Sequence, residues 1–121
     1  MIRKIARTYP FRVVRYRLYL PLLRIIDRLK DFLLGIKTED FIELDELGID
    51  ASLGGRYEPT SYKTLNRVLK IAKKKGFDSM IDIGCGNGRS LVVANEVGFT
   101  NLYGVDISSN LIANCEQNLK K

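Results

Sequence analysis

The stretch Met80–Leu91, MIDIGCGNGRSL, limits what this chain can fold into more than any other. A short apolar run enters three alternate glycines, Gly84, Gly86 and Gly88, and leaves them into a helical pattern, RSLVVANEV. Glycine in such a turn permits positive φ and lets a ligand lie against bare backbone. The same rhythm then repeats. NLYGVD is a second apolar run, and SSNLIANCEQNLKK predicts a second amphipathic helix with Leu111, Ile112, Cys115 and Leu119 inward and Ser108 or Ser109 as its cap. Strand–helix–strand–helix alternation predicts parallel strands joined by right-handed crossovers, an α/β sheet.

In such a sheet, ligands bind beyond the carboxyl ends of the strands. Asp82 lies just before the glycine turn, and Asp106, 24 residues later, ends the second strand. An acid at that second place is positioned to accept hydrogen bonds from ribose hydroxyls, which makes a nucleoside-bearing cofactor the expectation. The alternatives are structural: Asp106 as a helix N-terminal acid, and Asp82 as a carboxylate satisfied by nearby amides. A dinucleotide fingerprint needs a small residue where this chain has Arg89, so the pattern D-x-G-x-G-x-G speaks against a pyrophosphate site.

IDIGCGNGRSL resembles motif I of the class I S-adenosylmethionine-dependent methyltransferases, and LYGVDISSNLI resembles the motif that follows it. The likeness covers about residues 80–119. It implies a Rossmann-like, doubly wound fold of seven strands, of which this chain would hold the part up to the second β-α unit, preceded by a helical extension. It also implies S-adenosylmethionine as cofactor and direct methyl transfer to a nucleophile. Carried over by position, Asp82 would sit near the methionine amino group. Gly84, Cys85, Gly86, Asn87 and Gly88 would lie along the methionine and ribose, Asp106 would hold the ribose hydroxyls, and Ile107 would pack on the adenine. Cys85 as a thiol nucleophile is the sharper reading of that position, but the chain has no histidine to activate it. RYEPTSY, farther upstream, is similar to the lead-in of some methyltransferases, including a group related to protein-lysine methyltransferases. Tyr57 or Tyr62 would then close over the cofactor, or else pack under a helix cap.

The acceptor side is missing from this pattern. In the family, acceptor-side residues come from the fourth strand and later loops, so no residue here is assigned a catalytic role and the methyl acceptor, a protein among the candidates, is unidentified. Two parallel strands leave an uncovered apolar face, which predicts marginal stability alone, association with another chain, or a missing C-terminal half. The rival functions are a non-catalytic cofactor-binding or interaction module and another nucleotide-dependent enzyme.

The remaining sequence divides by charge. Residues 1–30 hold nine Lys/Arg and one acid, Asp27, whereas the other 91 residues carry a net charge of −2. The formal +6 therefore belongs to the N-terminal segment. There, Leu22, Ile25, Ile26, Leu29, Phe32 and Leu33 recur on one helical face, with Pro21 expected to kink or separate this helix from the preceding FRVVRYRLYL. Docking on nucleic acid, lying on an anionic membrane surface, or serving as a solvated face paired with the acidic stretch Glu39–Asp50 all suit it. Residues 1–56 are read as basic extension and acidic linker, and 57–121 as the cofactor-binding part. Thr60 or Ser61 should cap a helix with Leu65, Val68, Leu69 and Ala72 inward. Two cysteines without metal-ligand spacing point to free thiols in a reducing cytoplasm, with no metal site. No run nears the roughly 20 apolar residues of a bilayer span, and no signal peptide is read at the N-terminus, so the expected location is cytoplasmic, with peripheral membrane contact left open.

Overall fold

The computed structural model describes the backbone of residues 9–121 and the side chains of residues 19–121. Helix α1 runs from Tyr9 to Leu34, α2 from Tyr62 to Lys74, β1 from Ser79 to Ile83, α3 from Arg89 to Val97, β2 from Asn101 to Val105, and α4 from Ser109 to Leu119. The strands pair in parallel, in register from Ser79↔Asn101 to Ile83↔Val105. This is a small α/β unit, compatible with a fragment of a Rossmann-like fold.

Pro21 lies inside α1, so of the two expected effects, a kink or a separation, it does not separate two helices. Proline removes one backbone hydrogen bond, and leucines on both sides favour continuing the helix over ending it. The helix ends where Gly35 turns with φ +67. Between α1 and α2 the chain is irregular, apart from a 3-10 turn at Ala51–Leu53 and a bridge pairing Ile42 with Tyr57. The oxygen of Ser61, not Thr60, caps α2 by accepting from the Thr64 amide.

One core joins α2, α3 and the sheet through Tyr62, Leu69, Val93, Ala94 and Phe99, with Met80 and Leu102 packed against it. A smaller one joins Cys85, Leu91 and Cys115. Gly104 is required here: a Cβ would stand 2.8 Å from both Cys85 Sγ and Leu91 Cδ1, so the strand can approach the loop only without one. The opposite face of the two strands carries Ile81, Ile83, Tyr103 and Val105, all exposed. The predicted apolar face of α1 exists, yet it too faces solvent. No helix among the described residues is long and apolar enough to cross a membrane.

Candidate functional site

The turn after β1 is built by its glycines. Gly84, Gly86 and Gly88 have φ of +85, +53 and +85, conformations that side chains with a Cβ resist. The amides of Gly84 and Cys85 both donate to Val105 O, at 2.7 and 3.0 Å, which ties the turn to the end of β2. Asp106 then tightens it: Oδ2 accepts from the Gly86 amide at 2.8 Å and Oδ1 from the Ser108 amide at 2.9 Å. Each oxygen keeps further lone-pair capacity for a ligand.

A cleft of about 530 Å³ opens beside this turn, a size suited to a small ligand. Asp82, Gly84, Cys85, Asp106 and Ile107 line it, facing Tyr57, Pro59 and Leu65. Asp82 accepts from the Ser90 hydroxyl, and Ile107 is exposed at the rim. Nothing stands within 4 Å of where a Gly84 Cβ would be, so ligand atoms have room there. The cleft thus offers two carboxylates for hydroxyl or ammonium donors, open backbone between them and an apolar surface at one end. That set of acceptors fits a nucleoside joined to an amino acid.

Gly86, Asn87 and Gly88 are placed differently, in the loop but away from the cleft lining. The Tyr57 ring covers Gly86, where a Cβ would fall 2.1 Å from Cε2. Asn87 is buried, its side chain accepting from Asn114 Nδ2 at 3.2 Å and its carbonyl from Asn118 Nδ2 at 2.9 Å. Gly88 admits Cys115 Sγ, which would lie 2.4 Å from an added Cβ. Cys85 is buried, and burial, reinforced by Cys115 and nearby carboxylates, pushes its thiol pKa up to about 12. It is held as a thiol, not as a nucleophilic thiolate.

Residues 73–121 match a family described as a methyltransferase domain. The chain is also similar to a protein-lysine N-methyltransferase of Saccharolobus islandicus, 35% identical over 66 residues, 54% of this chain and 41% of that protein. It is similar to a ribosomal protein L11 methyltransferase of Lachnospira eligens, 32% identical over 87 residues, 70% of this chain and 27% of that protein. Residues 73–121 are thus similar to methyltransferase domains, and both relatives are methyltransferases by name. It spans less than half the length of either relative. No solved structure matches it significantly.

The sequence reading missed one feature of this methyltransferase segment, at the first residue of α3. Arg89 is buried and reaches back to the N-terminal region. One terminal nitrogen donates to Asp27 Oδ2 at 3.1 Å and the other to Glu39 Oε2 at 2.6 Å, with Asp31 Oδ2 at 3.7 Å. Its Nε donates to Thr38 Oγ1 at 2.6 Å. Asp31 in turn accepts from the Tyr62 hydroxyl at 2.6 Å and the Glu39 amide at 2.9 Å. Desolvation, only partly opposed by Arg89, raises the Asp27 pKa above its ordinary value of 3.8. Of the two tyrosines, Tyr62 belongs to the core and this network, whereas Tyr57 lines the cleft and donates to Thr38 O at 2.8 Å. Arginine in place of a small residue was legible as a departure from dinucleotide binding. Its partners, 50 to 62 positions away, were not.

Proposed function

We propose that this chain carries the cofactor-binding part of an S-adenosylmethionine-dependent methyltransferase, a Rossmann-like fold continued beyond these residues, acting on a protein acceptor. The observation that carries the reading is the convergence of Asp82, the open backbone at Gly84, and Asp106 on one cleft. S-adenosylmethionine supplies an electrophilic methyl group on a sulfonium. Asp106, already fixed by two amides, accepts from the ribose hydroxyls. Asp82, fixed by Ser90, accepts from the methionine ammonium, and Ile107 covers the adenine. Gly84 and Cys85 give the ligand close backbone approach. Gly86, Asn87 and Gly88 serve the same site by shaping the turn that brings Asp106 to it.

No side chain of this cleft is assigned proton removal from the acceptor, so the chemistry here is binding and alignment of the donor. The protein-acceptor reading rests on the names of the two relatives, both of them protein methyltransferases. Titration calorimetry with S-adenosylhomocysteine and with NAD tests the cofactor. Binding of the first alone, weakened at least about tenfold by Asp106→Asn with unchanged circular dichroism, is the expected result. Binding of NAD alone, or of neither, contradicts it.

A further inference from the structure

Helix α1 is amphipathic with its sides reversed from what its packing against a core would ordinarily require. Asp27 and Asp31 point inward and are buried on Arg89, while Leu22, Ile25, Ile26, Leu29, Phe32 and Leu33 face solvent. Phe32 and Leu33 are 81% and 82% exposed. A stripe of six large apolar side chains on one helix is more than scattered surface hydrophobicity. The buried ion cluster explains why the helix does not roll over to hide it: rotation would carry Asp27 and Asp31 away from the buried Arg89 and leave it with Glu39 alone, a change costlier than exposing leucines.

Charge selects the occupant. The sequence of α1 contains Arg12, Arg15, Arg17, Arg24, Arg28 and Lys30, of which Arg24 pairs with Glu39 and Lys30 with Glu96, and its two acids are the ones turned inward. A second copy would bring the same excess of positive charge against this face. Nucleic acid would meet the charge but offers no apolar phase for Phe32 and Leu33. An anionic bilayer supplies both, negative headgroups and an acyl boundary into which such a stripe can sink. We propose that α1 is an interfacial helix that docks the protein on an anionic lipid membrane through Leu22, Ile25, Leu29, Phe32 and their neighbours. The Arg89 cluster, fixed to the first turn of α3, holds the apolar face outward for that contact. This docking is independent of which cofactor fills the cleft.

Sedimentation of the whole protein with phosphatidylcholine vesicles, and with vesicles also containing phosphatidylserine, tests it. The protein should bind the anionic vesicles, at least about tenfold less to the neutral ones, and lose binding as salt rises. The exposed substitutions Leu29→Glu and Phe32→Glu together should abolish sedimentation while circular dichroism stays unchanged, and Arg28→Glu should weaken it. Absence of binding to anionic vesicles overturns the proposal, as does binding that survives the Leu29→Glu, Phe32→Glu pair. A dimer dissolved by that pair, without vesicle binding, would assign the face to a second copy. Binding of RNA without vesicles would assign it to nucleic acid. Either result overturns the membrane assignment.

Discussion

Arg89 shows how much one residue can decide in this protein. Its guanidinium is shared among Asp27, Asp31 and Glu39, all buried with it. Replacing Arg89 by Met leaves those carboxylates without their counter-ion, and the expected loss is about 3–5 kcal/mol in urea unfolding. Adding Asp27→Asn and Glu39→Gln to Arg89→Met should recover part of it; no recovery would mean that lost packing, not stranded charge, sets the cost. The same cluster predicts a pH dependence. Because the Asp27 carboxyl has a raised pKa, the folded chain keeps a proton that the unfolded chain has released. Its contribution to stability therefore falls as pH rises from the ordinary 3.8 through the raised value. Asp27→Asn should flatten the urea midpoint across that window, and an unchanged slope would locate the titration elsewhere. Cys85, with its pKa pushed up to about 12, should resist iodoacetamide at pH 8 until the chain unfolds. Rapid alkylation of the folded protein would restore the nucleophile reading.

Among the elements, β1, α3, β2 and α4 were legible because their signals are local. Apolar runs of strand length, Gly98 closing α3 with φ +97, and Ser108 capping α4 all lie within a few residues of what they determine. The turn was legible as glycine-rich, but not the reason for each glycine. Gly86 serves the Tyr57 ring and Gly88 serves Cys115, contacts made by residues distant in sequence. Gly86→Ala must hold a Cβ at φ +53 under that ring, and a loss of about 1–3 kcal/mol in thermal or urea unfolding is expected. Tyr57→Ala should relieve the clash while leaving the backbone strain, so the double variant should lose less than the sum of the two single losses. Full additivity of the two losses would show that the ring does not press on Gly86. Helix α1 was the opposite case. Periodicity identified its apolar face, but which face turns inward depends on Arg89, and no window of sequence around α1 contains that partner.

Across the whole molecule, the two ends of the chain are joined by charge and hydrogen bonding more than by apolar packing. Arg89 binds α1 and residues 38–39 to α3, Tyr62 binds α1 to α2, Lys30 reaches Glu96 on α3 at 2.7 Å, and Asn118 of α4 donates to Lys37 O at 3.1 Å. Part of the basic segment is thus paired internally, as Arg24 is with Glu39, while Arg28 stays on the exposed side. The basic residues Arg3, Lys4 and Arg7, and the side chains of residues 9–18, lie outside the described residues. Among the described residues, the outer face of α1 and the side of the sheet bearing Ile81, Ile83, Tyr103 and Val105 remain open. The sheet face is where further elements of a Rossmann-like fold would pack, and we propose that continuation for it. The cofactor cleft, by contrast, has both carboxylates and its glycine turn within the described residues. A crystal structure of the protein with S-adenosylhomocysteine therefore tests the central claim most directly. Ribose hydroxyls on Asp106, the amino group near Asp82 and the adenine against Ile107 are the expected result. A ligand bound elsewhere, or with its ribose turned away from Asp106, would contradict it.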